Sequence, residues 1–383
     1  VFTTQKEIST PTRVLSVPVK VHVVDPSAYT PPYDHALCAA LARDGVDVAL
    51  FTSRFAYGAA PTPDGYARHE LFYRAARGAP ASRRRRALKL AEHVPDMLRY
   101  RAAAQAADLV HFQWLAVPQI DGRLLPHGRP LVLTAHEVLA REPSPAERSA
   151  QRRLYRRMDA VIVHSEHGRA RLVGELGLPD ALVHTIPHGA FEHLARQPSG
   201  PLPAGLPATD APVVLCFGLI RPYKGIDVLI EAWGGGIADA ELWIVGRPRF
   251  EIGSLRSAAG AGVRWVTRFV DEQELAACFR RADVVVLPYR EIEQSGVLAT
   301  ALAFGSPLVL SDVGGFAEVA RAGAARLVPP GDPAALRAAL AELIGDPGAR
   351  GRLGAAARAL AADEWSWQRT AERTKALYSS LLS

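Results

Sequence analysis

Cysteine is scarce in this chain: Cys38, Cys216 and Cys278 are the only three in 383 residues, and no two form a C-x-x-C pair. That argues against a disulfide framework and a cysteine-based zinc site, and it fits a reducing compartment. No stretch offers 18 uninterrupted apolar residues, so no transmembrane helix is expected. The opening VFTTQKEISTPTRVLSVPVKVHVV has no basic region followed by an apolar core, so no secretory leader is expected and the chain reads as cytoplasmic. Three phosphate signatures are also missing. There is no D-x-D to hold a metal–diphosphate complex, no G-x-x-x-x-G-K-[ST] of a kinase or ATPase, and no G-x-G-x-x-G of a dinucleotide dehydrogenase. Neither a metal nor a cofactor is expected.

An apolar content of 49% over this length suits two domains of roughly 150 to 200 residues each. The 31 glycines and 29 prolines follow no collagen-like or low-complexity period. Net charge is +6, unevenly placed: residues 1–200 carry 26 Lys and Arg against 19 Asp and Glu, or +7, and the remainder carries 19 against 20, or −1. Arg83 to Arg86 and the group Arg152, Arg153, Arg156 and Arg157 dominate the front half. Such clusters fit a solvated surface, and equally a peripheral contact with phosphate-bearing partners or an anionic membrane. No nucleic-acid partner is expected.

Short β-branched runs alternate with helical patterns in both halves, as in doubly wound parallel sheets. Front-half strands are expected at Val46–Phe51, Leu109–Phe112, Leu131–Thr134, Ala160–His164 and Val183–Ile186, with helices at His35–Arg43 and Ser144–Arg157. ARQPSGPLPAGLPATDAP, residues 195–212, has five prolines and no periodicity and reads as a linker. A second series follows, with strands Val213–Phe217, Glu241–Val245, Val263–Val266, Val284–Pro288 and Pro307–Leu310. Its helices are expected at Gly225–Trp233, Glu272–Arg281, Gly296–Phe304 and Pro333–Ile344. The expected fold class is therefore α/β, two Rossmann-like domains facing a central crevice, with residues 1–200 in front and 208–364 behind.

Chemistry concentrates in the back half. In GLIRPYKGIDVLIEA a strand ends at Gly218, a loop presents Arg221 and Lys224, and a helix begins near Gly225. Ligands of open α/β sheets bind beyond the carboxyl ends of strands, and a helix N-terminus favours an anion. An Arg fork with a Lys point charge suits a diphosphate. In PYREIEQSGVLATALAFGSPLVLSDVGGFAEV, Gly296 opens a helix whose first N–H groups, at Ser295, Gly296 and Val297, face the same crevice, and Gly296 permits close approach. Glu291 or Glu293 is placed to accept from sugar hydroxyls, and Gly314-Gly315 with Glu318 forms a further loop.

The ordered set GLIRPYKG, EQSG, GSP and GGFAE resembles retaining glycosyltransferases of the GT-B fold, family 4, in a subgroup with Q-S-G-V in the donor loop. ADLVHFQW, TAHEV, VIVHSEHGRARL and IPHG resemble the front-lobe signatures of that family. WSWQRTAERTKALYSSLL resembles its terminal helix, residues 365–383, which crosses back onto the front lobe. The resemblance implies a nucleoside diphosphate sugar as donor and a hydroxyl acceptor, with anomeric configuration retained. It assigns Arg221 and Lys224 to the diphosphate, Glu293 to the transferred sugar, Ser295 to Val297 as backbone donors, and Arg268, Phe269 and Val270 to the flank of the base. Gly218 completes the donor set. The family's second glutamate, which grips the ribose, is absent here; Thr300 stands in its place.

His136, in TAHEV, ends a strand and is expected to face the crevice, hydrogen-bonding the donor sugar or orienting the acceptor, with Glu137 beside it. In the first βα loop, relatives have a Gly-Gly pair where this chain has Pro31-Pro32-Tyr33-Asp34-His35. Proline removes an N–H donor, so the side chains of Tyr33, Asp34 and His35 are expected to meet the acceptor or leaving group, or else to form a rigid helix start. His111 is placed on the same acceptor side, although it and His164 also read as structural. The acceptor is either a lipid-linked or polysaccharide intermediate or a small metabolite. Two other functions stay compatible with the motifs: a relative that acts on the nucleotide sugar without an acceptor, as an epimerase or hydrolase, and a two-lobed binding protein without catalysis.

Overall fold

A computed structural model describes residues 18–78, 82–115, 117–138 and 144–383. The opening segment read above for a leader lies largely outside them. The front lobe is a seven-stranded parallel sheet of β1 (Lys20–Asp25), β2 (Asp47–Ser53), β3 (Ala67–Phe72), β4 (Leu109–Phe112), β5 (Leu131–Thr134), β6 (Ala160–Val163) and β7 (Val183–Thr185), in the order β3-β2-β1-β4-β5-β6-β7. The back lobe has six, β8 (Val213–Phe217), β9 (Glu241–Val245), β10 (Val263–Val266), β11 (Val284–Leu287), β12 (Leu308–Ser311) and β13 (Ala325–Val328), in the order β10-β9-β8-β11-β12-β13. Strand order reverses beside β1 in one sheet and beside β8 in the other. Each reversal opens a crevice at the strands' carboxyl ends.

Strands β4, β5, β6, β11 and β12 are buried at every residue, which is why they read as unbroken apolar runs. Three elements escape that signal. The edge strand β3, ARHELF, is mostly solvent-facing. The helix Arg83–Ala103 opens with four arginines and holds Pro95. The strand β1 pairs with both β2 and β4 at the sheet's centre, yet its run follows an unpatterned opening.

The proline-rich segment lies along the back lobe. Ala190 and Leu206 are buried in the same core as Trp243 and Phe279, and the guanidinium of Arg280 donates to Ala195 O at 2.8 Å. Further on, the helix Trp367–Leu382 packs on the helix Pro31–Arg43 of the front lobe. The indole of Trp367 lies edge-on to Tyr33, with centroids 5.1 Å apart, and Tyr378 Oη is 2.6 Å from His111 Nδ1. A Cβ at Gly189 would run into the Trp367 indole. Gly189→Ala is expected to lower stability by about 1–3 kcal/mol through overpacking of this crossing. A urea midpoint equal to that of the unchanged protein would contradict the packing described.

Candidate active site

The back-lobe pole is built around two glycines in the left-handed region. Gly218, φ +102, follows β8; Gly225, φ +63, precedes the helix Ile226–Trp233. At Gly225 a Cβ would collide with Pro288 O, so only glycine lets this loop approach the end of β11. The one-turn helix Pro222–Lys224 between them turns Lys224 inward. Its ammonium is 3.4 Å from Phe217 O and 5.0 Å above the Tyr289 ring. A Cβ on Gly218 would stand 2.8 Å from Lys224 Nζ and 2.9 Å from Val297 Cγ2. The missing side chain therefore brings the ammonium and the first turn of the helix Gly296–Phe304 to one spot. Among the described residues no carboxylate lies within 4 Å of Lys224, and burial lowers its pKa, with Arg221 adding to the effect.

Arg221 is exposed and borders two hollows. One, of about 830 Å³, includes Tyr223, Ile226, Arg249 and Phe250; the other, of about 450 Å³, includes Tyr29, Trp114 and His136 of the front lobe. Ser295 caps its helix by accepting from the Leu298 N–H at 3.2 Å, which leaves the N–H groups of Gly296 and Val297 without an intrahelical partner. A Cβ at Gly296 would meet only Phe191, at 3.6 Å, so protein packing does not require glycine there. Thr300 is buried, and its hydroxyl donates to Gly296 O at 2.8 Å. It serves its own helix rather than facing the cleft.

Glu293 lines a cleft of about 830 Å³ between the lobes, together with His136, Arg148, Arg171, Arg290 and Gln294. Its Oε1 is ion-paired with Arg171 of the front lobe, and its buried Oε2 has no hydrogen-bond partner among the described residues. The His167 N–H donates to Glu318 Oε1 at 3.3 Å, a second bond between the lobes. On the expected base side, Arg268 forms a bidentate pair with Glu274, at 2.7 and 2.6 Å. Phe269 is solvent-facing beneath Arg247, and Val270 packs partly into the core.

At the front pole His136 borders the cleft and stacks on Trp114, with centroids 5.0 Å and planes 14° apart. Its Nε2 is 3.1 Å from the Gln113 amide and its Nδ1 3.3 Å from His164 Nε2. The other residues expected on the acceptor side are not there. Tyr33 is enclosed by His136, His164, His188 and Trp367. Asp34 is fully buried beside Asp25, whose carboxylate accepts from the N–H groups of Ser27, Tyr29 and Thr30. His35 Nδ1 is 3.1 Å from Tyr66 Oη, under the β2–β3 edge. His111 is bonded to Tyr378 and Thr134. The helix that begins at Pro31 buries Tyr33 and Asp34 of its first turn, so the rigid helix start is what this loop provides. Tyr29 and Arg148 reach the cleft unannounced, while Trp114, Arg171 and Gln294 stood within the quoted motifs ADLVHFQW, VIVHSEHGRARL and EQSG without a role of their own.

Among the described residues no group of three His, Cys, Asp or Glu side chains is placed to hold a metal ion, and no helix is long and apolar enough to cross a membrane. Residues 33–190 match the family description "Glycosyltransferase Family 4", and residues 211–346 match "Glycosyl transferases group 1". The chain is 31% identical over 376 residues to the D-inositol 3-phosphate glycosyltransferase of Arthrobacter sp. (strain FB24), covering 90% of this chain and 88% of that one. It is 31% identical over 251 residues to a GDP-mannose-dependent alpha-(1-6)-phosphatidylinositol monomannoside mannosyltransferase of Mycolicibacterium smegmatis, covering 61% of this chain and 66% of the other. Among solved structures, sucrose-phosphate synthase from Thermosynechococcus elongatus superposes with a TM-score of 0.73 at 22% identity, over 95% of this chain and 99% of that one.

The buried histidines fix the sign of the acid response. Burial holds His111 and His188 down to about 3, His164 to about 4, and His136 well below 6.5. Each contributes stability that is present above pH 6.5 and lost as pH falls toward its folded value, at about 1.4 kcal/mol per pH unit. Asp25 and Asp34, raised by burial, oppose this in part. The urea midpoint is expected to be clearly lower at pH 5 than at pH 7.5; equal midpoints would show that these imidazoles are not held neutral.

Proposed function

The chain belongs to glycosyltransferase family 4, with GT-B architecture, and from that premise we propose that it transfers a hexose-like sugar from a nucleoside diphosphate sugar to a hydroxyl acceptor, retaining anomeric configuration and needing no metal ion. The observation that carries the assignment of the donor site is the convergence, beside Gly218, of the Lys224 ammonium and the N-terminus of the helix Gly296–Phe304.

As the bond between sugar and phosphate breaks, negative charge grows on the diphosphate. Lys224, Arg221 and the free N–H groups of Gly296 and Val297 would stabilise it without reorganising, since each is already in place. The ammonium and the helix N-terminus at one spot, with Arg221 near enough to act on Lys224 electrostatically, would supply what a divalent cation supplies elsewhere. Of the carboxylates near the site, Asp25 and Asp34 are sealed under the first loop, and Glu293 is ion-paired with Arg171. Retention then follows from attack on the face that the phosphate leaves, with the departing phosphate taking the acceptor's proton. Closure of the lobes excludes water, which would otherwise consume the donor.

For the acceptor, both quoted relatives are named for inositol-based substrates, one of them a lipid. The helix Arg83–Ala103 supports a peripheral membrane contact, because Leu90, Val94 and Leu98 form an exposed apolar stripe at i, i+4, i+8. Arg83, Arg84 and Arg86 flank its start.

Arg221→Ala and Lys224→Ala are each expected to reduce transfer at least about 100-fold while leaving the circular dichroism spectrum unchanged. Near-normal turnover in both variants would end the assignment of the diphosphate site. Excess chelator should leave the rate unaltered, and proton NMR of the product should show the donor's anomeric configuration; a large loss with chelator, or inversion, would remove the corresponding part of the proposal.

A further inference from the structure

A second basic hollow lies on the front lobe, outside the donor cleft. It holds about 630 Å³ at the carboxyl ends of β2 and β3, and its wall carries Arg54, Arg74, Arg77 and Arg85 against the single acid Glu70, over a floor that includes Phe72 and Tyr73. We propose that this hollow binds the phosphate of a phosphate-bearing acceptor while that acceptor's hydroxyl reaches the transfer centre, an inference that rests on the transferase reading above.

The hollow is constructed rather than incidental. Tyr73 sits at φ +54, a left-handed conformation that an aromatic residue adopts only when its surroundings impose it. The helix Arg83–Ala103 imposes it. Asp96 Oδ2 accepts from the Tyr73 N–H at 2.7 Å, and Glu92 Oε1 accepts from the Ala75 N–H at 2.9 Å. Tyr73 Oη is 2.8 Å from His93 Nδ1, and His93 Nε2 is 2.6 Å from the buried Asp121. Arg85, nine-tenths buried, donates from Nε to Ala76 O at 3.0 Å, and Arg74 Nε donates to Glu70 O at 3.0 Å. The segment bearing Arg74 and Arg77 is thus pinned from both sides.

The same bonds account for the nearby acids. Asp96 serves the Tyr73 amide and Arg99, and Glu92 the Ala75 amide. Among the described residues none of the four arginines lining the hollow has a carboxylate within 4 Å. Four guanidinium groups around one concavity repel one another, and an anion with several acceptor oxygens relieves that repulsion while matching their planar forks.

Position in the sheet gives the ligand's length. From β2 to β5, whose end carries His136, is three strand spacings in the order β2-β1-β4-β5, or roughly 14 Å at about 4.8 Å each. The acceptor therefore separates its phosphate from its reacting hydroxyl by about two sugar rings. A phosphorylated disaccharide or the headgroup of a phosphoglycolipid has that span; a phosphorylated monosaccharide falls short of it.

The test is calorimetric titration of the full chain with trehalose 6-phosphate, trehalose and UDP, on the unchanged protein and on the double variant Arg54→Ala/Arg77→Ala. Both substitutions are at exposed positions and should leave the fold intact. The phosphorylated sugar is expected to bind the unchanged protein at least tenfold more tightly than trehalose, and the double variant should lose that difference while binding UDP as before. Should the soluble ester show no such preference, co-sedimentation with phosphatidylcholine vesicles with and without phosphatidylglycerol decides the source: binding that needs the anionic lipid and is lost in the double variant supports a lipid-borne phosphate. Phosphate-dependent binding undiminished in the double variant, or its absence in both formats, overturns the subsite. Failure of the unchanged protein to bind UDP would count against the donor reading instead, since UDP tests the back lobe alone.

Discussion

The constraint on which the rest depends is a buried ammonium that has no counter-ion among the described residues. Lys224 is almost fully enclosed, and it faces the Phe217 carbonyl and the Tyr289 ring. Removing a charge from water without a partner costs several kcal/mol, and the usual escape is a fall in pKa, which is the direction burial drives here. Such an arrangement persists only where the surrounding backbone determines it. Gly218 and Gly225 do so: both adopt positive φ, and the second has no room for a Cβ against Pro288 O. An anion placed beside Gly218 would supply the missing charge. Two left-handed glycine turns and a depressed ammonium thus have one explanation in common.

The two lobes meet through contacts of modest strength. Arg171 and Glu293 are both partly solvated, and ion pairs of that kind contribute about 0–1 kcal/mol. The bond from the His167 amide to Glu318 adds one more exposed link. Weak closure suits an active site that must admit a donor and release a nucleotide, since a clasp of several kcal/mol would hold the cleft shut. The stable connection lies at the other end, where the helix Trp367–Leu382 buries Ala371, Leu377 and Tyr378 against the front lobe.

How much of this was legible in the sequence follows from what periodicity can carry. Strands β4, β5, β8 and β9 lie at the residues where their apolar runs place them, because burial on both faces leaves a continuous signal; the edge strand β10 and the helices Glu272–Arg281 and Gly296–Phe304 match as well, though β10 and the first of these helices are buried only in part. The donor loop was legible for a different reason: its glycines and cations sit at fixed offsets from a strand end. The first loop was not. Pro31 to His35 looked like side chains offered to a ligand, whereas Tyr33 and Asp34 point inward, a direction that depends on Trp367, Asp25 and the histidines packed around them. Thr300 shows the same limit. Its spacing matches a ligand position, but its hydroxyl is within reach of a carbonyl four residues back, and the helix takes it. Pairs such as Arg171 with Glu293, 122 residues apart, leave no local trace.

The front lobe's own chemistry can be followed proton by proton. His164 Nδ1 lies 2.9 Å from Ile186 O, a group that can only accept, so Nδ1 carries the hydrogen. Because burial keeps the ring neutral, His164 Nε2 holds a lone pair and His136 Nδ1 must donate to it. His136 is neutral for the same reason, so its Nε2 also holds a lone pair. The Gln113 amide is placed with its oxygen 3.1 Å from His136 Nε2, and it satisfies that lone pair only when turned over, with its NH2 toward His136 and its oxygen toward His111 Nε2, which then donates. His111 Nδ1 is left to accept from the Tyr378 hydroxyl at 2.6 Å. One chain of hydrogen bonds thus runs from the C-terminal helix through three histidines to the Ile186 carbonyl, with Thr134 also on His111 Nε2 at 2.7 Å. It fixes the His136 imidazole as neutral, with both nitrogens committed and its face stacked on Trp114. A ring so held orients what stands beside it but has no proton to give, which agrees with the proposed transfer of the acceptor's proton to the departing phosphate.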